Sequence, residues 1–415
     1  STELFNESSK VVLMRDQDRT VITMASDYQG EPEDFALVVP VPTVLEREQI
    51  HVTENAIIDH LDAYTAPRLV EYFDDDPCNM RIMMEMRADA VGVQSKNSAK
   101  ALGVTIEAQY QVGEYDILIL DAKQSEGLLT WLIQNDYKVP KKAKSVLKSY
   151  IKQDMKFFVA RVNLDALESS GRQYLRPIQI AYESPRFMLP IRLGTINAQG
   201  DQDMFVFGLT RKGRIEPINY QTKKIPSNME IPLYIKDEFT EFYQAMFDQQ
   251  VKQHPDSVFL EYAWDMGWCD PCAADPLSAQ ELNELGVYWI KKPKKPSGPQ
   301  TSVIRPMPPQ NAHDVFVTRL HVRYNAETFP EDILFQVTED RQNYQGRYIL
   351  RHPYEGPIDC DTEYQANHRD ALEQQAKQLA SLTGWSIDEI RAKMPELNNQ
   401  GEPEPLNWWQ RLWSW

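Results

Sequence analysis

The motif Trp268-Cys269-Asp270-Pro271-Cys272 constrains the fold of this chain more than any other stretch. Two cysteines separated by two residues can close a tight disulfide, bind a metal ion or exchange electrons with another thiol pair. The Trp, the Pro and an apolar lead-in from Ser257 to Trp264 match the redox pattern WCxPC, in which a strand precedes the motif. Thiol–disulfide exchange is therefore one interpretation of this stretch.

A structural disulfide between Cys269 and Cys272 is the interpretation that the flanking residues favour. A reactive thiolate needs a helix N-terminus, where backbone N–H groups stabilise its charge. Asp270 and Asp275 oppose that charge, and Pro276 disfavours a long helix that starts at Cys269. No βαβ pattern of the thioredoxin kind precedes the motif in the sequence. We therefore predict a structural bridge here, with redox exchange as the alternative.

The cysteine content favours an oxidising compartment. Four cysteines are present, Cys78, Cys269, Cys272 and Cys360. A sparse, even set is typical of structural disulfides in exported proteins. We predict that Cys78 pairs with Cys360, which would tie the N-terminal region to the C-terminal one. The chain begins at Ser1 without an initiator Met, and removal of a secretory signal is one explanation. A periplasmic or extracellular location follows as an expectation.

Charge and hydropathy exclude two classes of function. The chain carries 61 Asp and Glu against 44 Lys and Arg, a net charge of −17 at pH 7, so we do not expect it to bind nucleic acid. No uninterrupted run of about 18 apolar residues occurs, so the sequence predicts no transmembrane helix. Phosphate-loop, serine-hydrolase and zinc-protease signatures are also missing from the sequence, which disfavours the familiar hydrolase and nucleotide chemistries.

The apolar pattern predicts an α+β fold with mixed, mainly antiparallel sheets and peripheral helices, stabilised by disulfides. Val11 to Met24 is a hairpin around a polar turn, and Phe35 to Val39 is a continuous apolar strand. Thr53 is predicted to cap a helix, and Pro67 to restart that helix after Tyr64. Neither a repeat nor a regular βαβ alternation runs through the sequence, which disfavours a doubly wound sheet.

The predicted organisation has four parts. Residues 1–290 form a main α+β domain with a flexible excursion at about 79–100. Residues 291–310 hold six prolines and form a Pro-rich linker or long surface loop. Residues 311–396 form a smaller region of a β-hairpin plus helices, and residues 397–415 form a Trp-rich C-terminal tail.

Five ordered blocks stand out along the sequence. They are Asp34–Pro42, Leu61–Tyr72, Leu189–Gly194, the pair Glu261–Trp264 and Trp268–Cys272, and Thr318–Tyr324. Together these blocks resemble a bacterial family of exported proteins, domain of unknown function 2330, over roughly residues 5 to 355. The resemblance implies export and no established activity. It also implies that further mature residues precede Ser1 in a full-length member.

An acidic turn is the strongest candidate for a metal site. Asp74, Asp75 and Asp76 offer the hard oxygen ligands that Ca²⁺ prefers, although their spacing is not that of an EF-hand loop. A solvated acidic turn is the simpler interpretation. Met80 and Met83 lie nearby, and thioethers select Cu(I), but Met also fills irregular cores. We therefore predict no cofactor, with Ca²⁺ as the alternative.

The chain ends in a cluster of four tryptophans, Trp408, Trp409, Trp413 and Trp415. In a helix, Trp409 and Trp413 would share one face. A Trp ring with its N–H suits a protein groove or a membrane interface, and packing on the same chain is the simplest alternative. We predict that the chain's own core, a protein partner or a second copy covers this tail, with a membrane surface as a further option.

These observations predict an exported protein that acts as a binding or assembly module with structural disulfides rather than as an enzyme. A thiol–disulfide oxidoreductase that uses Cys269 and Cys272 is the first alternative. A protein that binds Ca²⁺ or copper is the second.

Overall fold

The computed structural model describes residues 8–25, 35–77, 108–123, 125–134, 137, 140, 142–172, 174–197, 200–268, 274–290, 313–356 and 362–398. The four cysteines, Met80, Met83 and the four C-terminal tryptophans lie outside these residues. Among the described helices, none combines the length and the apolar character that crossing a bilayer requires.

The strands in the described residues are numbered in chain order. They are β1 (Ser8–Asp16), β2 (Arg19–Ala25), β3 (Ala36–Val41), β4 (Ile50–Val52), β5 (Arg68–Phe73), β6 (Ala108–Val112), β7 (Tyr115–Leu120), β8 (Lys156–Val162), β9 (Ile178–Glu183), β10 (Met188–Leu189), β11 (Gln202–Thr210), β12 (Ile215–Pro217), β13 (Gln221–Lys224), β14 (Met229–Glu230), β15 (Ser257–Asp265), β16 (Phe316–Tyr324), β17 (Ile333–Val337), β18 (Tyr344–Gln345) and β19 (Arg347–His352).

The helices are numbered in the same way. They are α1 (Asn55–Thr65), α2 (Ser125–Gln134), α3 (Ala143–Lys152), α4 (Leu164–Ser170), α5 (Arg192–Asn197), α6 (Phe239–Gln253), α7 (Ala279–Glu284), α8 (Thr362–Thr383), α9 (Ile387–Ala392) and α10 (Pro395–Asn398). Short 3₁₀ turns at Arg47–Gln49 and Leu233–Lys236 complete the set for the described part of the chain.

Within the described residues, the strands form two larger and two smaller sheets. The large sheet has nine strands in the order β13-β15-β16-β11-β1-β2-β9-β4, with β18 paired to β15. A four-stranded sheet has the order β3-β8-β7-β6, and the small sheets are β10-β17-β12 and β14-β19-β5. Most neighbours are antiparallel, whereas β1–β11, β13–β15, β14–β19 and β5–β19 are parallel. The predicted class, a mixed α+β fold with mainly antiparallel sheets, is confirmed.

The two larger sheets pack face to face, and each carries helices on its outer face. In β1, Val11 and Leu13 join the core between the sheets, whereas Val12 and Met14 pack beneath α1 and α7. Side chains alternate between the two faces of a strand, so a strand with both faces buried reads as a continuous apolar run. The same alternation in β8 separates the inter-sheet core from a cluster beneath α2 and α3.

Strand β16, which follows the Pro-rich stretch, lies between β15 and β11 in the large sheet. Its register with β11 extends over all nine residues, from Phe316 opposite Thr210 to Tyr324 opposite Gln202. The regions before and after residues 291–310 therefore share one sheet.

Two local predictions around α1 are wrong. Thr53 does not cap the helix: the N-cap residue is Glu54, and the Thr53 backbone N–H donates to the Pro177 carbonyl at 3.0 Å. Pro67 does not restart the helix, because the next residues, Arg68–Phe73, form β5 in parallel register with β19. In both cases pairing with a distant segment outweighs the local preference.

Candidate functional site

A partly enclosed cavity of about 300 Å³ lies at β3, the edge strand of the four-stranded sheet, where the core between the two larger sheets meets the cluster beneath α2 and α3, and we call it the inter-sheet cavity. Its apolar lining comes from the large sheet (Val11, Ile22, Ile178 and Met204), from β3 and its lead-in (Phe35, Leu37 and Val39), and from helices α2, α3 and α5 (Leu132, Leu147, Leu193 and Ile196). Protein interiors are close-packed and leave few voids larger than a water molecule. Space of this size in a core therefore needs an explanation.

The lining includes residues with small or no side chains at three points. Ala36, Ala143 and Gly194 all line the cavity. A Cβ atom built on Gly194 would meet nothing closer than the Tyr324 hydroxyl at 3.8 Å. An engineered apolar cavity of about 150 Å³ stays dry and binds benzene. The inter-sheet cavity is larger than that, so it has room for a bigger apolar molecule.

The charge in the lining is balanced by a buried partner. Arg176 donates to the Glu114 carboxylate from Nε at 3.0 Å and from Nη2 at 2.8 Å. The Glu114 side chain is fully buried. Burial lowers the pKa of Arg176, but the bonds to Glu114 outweigh that effect and leave the pKa raised. Tyr115 donates its hydroxyl to the Arg176 carbonyl at 2.7 Å, and burial raises the pKa of this Tyr. The hydroxyl of Tyr115 therefore stays protonated at neutral pH.

A second polar feature lies on the opposite face of the large sheet, and we call it the buried ionic network. Its members are Lys10, Asp62, Asp203, Glu261, Arg319, His321 and Arg323. Arg319, His321 and Arg323 alternate along β16, so their side chains share one face of the sheet. The carboxylates reach them from helix α1 and from strands β11 and β15.

Glu261 is the centre of the network. Its carboxylate accepts from Arg319 Nε at 2.6 Å and pairs with His321 Nδ1 at 3.0 Å, and it also accepts from the Tyr243 hydroxyl of α6. Arg319 continues to Asp62 of α1, with Nη1 donating to the Asp62 backbone carbonyl at 2.9 Å and also to its carboxylate. The network thus joins two helices to the sheet through one buried carboxylate.

The other arm of the network starts at His321. His321 Nε2 lies 3.1 Å from Asp203 Oδ1, and Arg323 Nη2 donates to Asp203 Oδ2 at 3.0 Å. The His321 ring stacks on Phe247 of α6, with their centroids 3.7 Å apart. Arg323 also donates to Asp248 of α6. This arm fixes the middle of α6 against the end of β16.

A β-bulge in β15 aims Glu261 into the network. Leu260 lies opposite Leu320, but Tyr262 rather than Glu261 lies opposite Arg319. The extra residue puts the Glu261 and Tyr262 side chains on the same side, whereas Leu260 joins the inter-sheet core. A bulge inserts one unpaired residue and re-aims a side chain in this way.

The charges of the network stabilise one another. Burial raises the pKa of Asp62, but Arg319 and Lys10 outweigh it and leave the pKa lowered. Burial likewise raises the pKa of Asp203, and the bonds from His321 and Arg323 leave it lowered. The side chains of Glu261 and His321 are 0 % exposed, and that of Arg319 is 2 % exposed. The centre of the network is closed to a substrate, so we assign it a structural role.

The structure tests few of the predicted site residues directly. Asp74 follows β5, and its carboxylate accepts from Arg351 Nη1 at 3.3 Å and from the Tyr364 hydroxyl at 2.8 Å. Among the described residues, no group of three or more His, Cys, Asp and Glu side chains is placed to hold a metal ion. The predictions for Cys78, Cys269, Cys272, Cys360, Met80, Met83 and the tail tryptophans Trp408, Trp409, Trp413 and Trp415 lie outside the described residues.

Neither the inter-sheet cavity nor the buried ionic network was predicted from the sequence. A Glu inside the apolar run Ser257 to Trp264 is the one signal that could have indicated a buried charge, because a buried carboxylate needs a partner. The blocks Asp34–Pro42 and Leu189–Gly194 contain residues that line the inter-sheet cavity. The blocks around Asp62, Glu261 and Arg319 supply the buried ionic network.

Comparison with known proteins identifies one family. The model of the family described as uncharacterized protein conserved in bacteria (DUF2330) matches residues 1–336. Comparison with the curated proteins gave no match.

Similar solved structures include a viral protein. Mutated baculovirus P35 after caspase cleavage has a TM-score of 0.28 and 9% sequence identity, and the match covers 52% of this chain and 70% of that chain. P35 in complex with caspase-8 has a TM-score of 0.29 and 7% identity, with 52% and 66% covered. Scores this low support no inference from P35 to this chain.

Proposed function

We propose that this chain, which belongs to the DUF2330 family of proteins conserved in bacteria, is a binding protein for an apolar molecule rather than an enzyme. The inter-sheet cavity carries the proposal. Small-molecule sites are concave, mostly apolar and of about 300 Å³ or more, with a few polar groups in the lining. The inter-sheet cavity has this size and this composition.

Two further observations support binding over catalysis. Among the described residues of the cavity lining, the charged side chain is Arg176, which is neutralised by the buried Glu114 and is not presented to a reacting group. The buried ionic network is the richest cluster of acids and bases in the described part of the chain. The side chains at its centre are only 0–2 % exposed. General acid–base catalysis needs a group within hydrogen-bond reach of its substrate, and a closed network offers none.

Binding of a neutral apolar fluorophore, N-phenyl-1-naphthylamine, tests the proposal. The fluorescence of this probe should rise in a saturable manner on addition of the wild-type protein. Gly194→Leu would place a large side chain at the cavity wall and should weaken probe binding by about ten-fold or more. Gly127→Leu is the matched control, because Gly127 is an exposed helical glycine with nothing within 4 Å of its Cβ position. That variant should bind the probe like the wild type.

A second variant covers the case in which Gly194→Leu does not fold. Ser9 is half-buried, lines the cavity and shares a face of β1 with Val11, so Ser9→Trp adds volume at the edge of the cavity. It should also weaken probe binding. Saturable binding that survives both Ser9→Trp and a folded Gly194→Leu would overturn the proposal, as would absence of saturable binding to the wild type.

We also propose that the protein acts in the periplasm or outside the cell with structural disulfides. The sparse, even cysteine content and the family resemblance support this. The rival function is thiol–disulfide exchange at Cys269 and Cys272. Clear turnover in an insulin-reduction assay that Cys269→Ser abolishes would favour the rival. A Ca²⁺ site at Asp74 has less support, because that carboxylate already binds Arg351 and Tyr364.

A further inference from the structure

A second cavity, of about 200 Å³, lies at the C-terminal end of β3, and we call it the Tyr182 pocket. Tyr182 and Arg186 belong to its polar lining. Its apolar wall is formed by two methionines and three prolines, Pro40, Pro42, Met155, Pro185 and Met188. No described residue lines both this pocket and the inter-sheet cavity. The Tyr182 pocket is therefore a separate space, to which the proposed function assigns no role.

The hydroxyl of Tyr182 is the unusual group in this lining. Tyr182 is only 7 % exposed, and its side chain belongs to the core between the two larger sheets. The hydroxyl makes no hydrogen bond to another residue in the described part of the chain, and it is not sealed from solvent. A buried Tyr hydroxyl usually has a hydrogen-bond partner. Because Tyr182 lines the pocket, a bound molecule can supply that partner.

This hydroxyl acts as a hydrogen-bond donor. Burial raises the pKa of Tyr182 to about 12, although the nearby Arg15 guanidinium opposes that rise. The hydroxyl therefore keeps its proton at neutral pH. With a guanidinium nearby, the partner that suits this O–H group is an acceptor of negative charge.

The lining also carries a positive charge without a counter-ion. The Arg186 side chain is exposed, and its Nη1 donates to Gln153 Oε1 at 2.6 Å. Among the described carboxylates, none pairs with Arg186. None of the described lining residues is acidic either. In a chain of net charge −17, this pocket is therefore a local site of positive charge.

A second guanidinium lies directly behind the lining. Arg15 is buried, and its Nη1 donates to the Ser184 backbone carbonyl at 2.9 Å. Its carboxylate partner, Asp18, is 3.6 Å away and exposed, so the pair is weak and Arg15 keeps much of its positive field. Both arginines therefore favour an anion in the Tyr182 pocket over a neutral or cationic group.

The size and the apolar wall of the pocket indicate that this anion is organic. A cavity of about 150 Å³ holds a molecule of benzene. At about 200 Å³ the Tyr182 pocket has room for a ring of that size with a carboxylate attached. Methionine and proline side chains give no hydrogen bonds to the hydration shell of an inorganic ion, whereas they can pack against an apolar body.

We propose that the Tyr182 pocket binds a small organic carboxylate, whose negative group accepts from the Tyr182 hydroxyl and pairs with Arg186. The apolar body of the ligand lies against the methionines and prolines of the wall. Hydrogen bonds to an ionised acceptor are about twice as strong as neutral ones, so these two residues set the preference for an anion.

Isothermal titration calorimetry with benzoate, benzamide and inorganic phosphate tests the proposal. Benzamide keeps the ring of benzoate without its charge, and phosphate keeps a negative charge without an apolar body. Benzoate should bind saturably, and about ten-fold or more tightly than either of the other two. Equal affinity for benzoate and benzamide would overturn the proposal, as would phosphate that binds as tightly as benzoate, or no saturable binding of benzoate.

Two variants with matched controls locate the bound benzoate. Tyr182→Phe removes only the hydroxyl, and Arg186→Gln removes the charge, so each should weaken benzoate binding by about ten-fold. Tyr174→Phe and Arg369→Gln change exposed residues outside the pocket and should leave the affinity unchanged. Since Arg186 is exposed, Arg186→Gln decides the question if Tyr182→Phe does not fold.

Gly194→Leu separates this site from the proposed function. The substitution narrows the inter-sheet cavity and should leave benzoate affinity unchanged, because Gly194 does not line the Tyr182 pocket. Benzoate binding that a folded Gly194→Leu abolishes and Arg186→Gln leaves intact would overturn the proposal.

Discussion

Removing the charge of Glu261 should destabilise the protein strongly, because this carboxylate joins two helices to the large sheet. Glu261→Gln keeps the shape of the side chain. It removes the anion that pairs with Arg319 at 2.6 Å and with His321 at 3.0 Å, and that accepts from Tyr243. Arg319 would then keep only the partners from α1, while its guanidinium remains buried.

The size of the effect follows from the burial of the pair. Breaking a buried ion pair by removing one partner lowers the free energy of unfolding by about 3–5 kcal/mol, because the other charge is left uncompensated. Unfolding entropy is about 2.1 cal/mol/K per residue, so a chain of 415 residues loses roughly 1 °C of Tm per kcal/mol. We therefore expect Glu261→Gln to lower Tm by about 3–6 °C.

An exposed ion pair of the same kind provides the control. Arg19 Nε donates to Glu183 at 2.9 Å, and both side chains are more than 40% exposed. Surface pairs of this kind contribute little, so Glu183→Gln should shift Tm by less than about 1 °C. Both shifts can be measured by differential scanning calorimetry under identical conditions. Equal shifts for the two variants would refute the assignment of Glu261 as the centre of a stabilising network.

Three further predictions concern pH, the cysteines and the tail. In the folded state the pKa values of Asp203 and Asp62 lie below the ordinary value of 3.8. The two carboxylates therefore stabilise the folded protein above pH 3.8, and this stabilisation is lost as the pH falls through their folded-state pKa values. Urea unfolding between pH 6 and about pH 3 should therefore show a steeper loss of stability for the wild type than for Asp203→Asn, and parallel curves would contradict this. Mass spectrometry of the unreduced protein should find Cys269 joined to Cys272 and Cys78 to Cys360, and a free Cys78 or a bridge from it to Cys269 would rule out this pairing. Deletion of residues 406–415 should lower Tm if the tail packs on its own chain, or abolish association if a partner covers it. No change in Tm, oligomeric state or liposome binding would show that the tail is a free end.

The layers of the fold could be predicted from the sequence, because the apolar residues of buried strands and amphipathic helices recur with recognisable periods. The apolar run predicted at Phe35 to Val39 is β3, whose observed bounds are Ala36–Val41. The order of the strands within the sheets could not be predicted from the sequence. The N-terminal β1 pairs with β11 and, through it, with β16, and such long-range pairs leave no local pattern.

The buried ionic network shows why the site was harder to predict than the fold. Arg319, His321 and Arg323 alternate along β16, which is the pattern of a strand with one solvated face. Arg319 and His321 are instead buried and Arg323 is half-buried, and their partners are far away in sequence, with Asp62 257 residues from Arg319 and Asp203 118 residues from His321. The cavity is harder still to predict, because its lining combines residues of the large sheet, of β3 and of helices α2, α3 and α5. Neither property is contained in a single stretch of residues.

A crystal structure of the protein with a straight-chain alcohol that carries a terminal bromine tests the central claim most directly. We expect an anomalous bromine peak inside the inter-sheet cavity. Bromine density found only on the outer surface of the protein, with the cavity unoccupied at saturating alcohol, would contradict the claim that this protein binds an apolar molecule in the inter-sheet cavity.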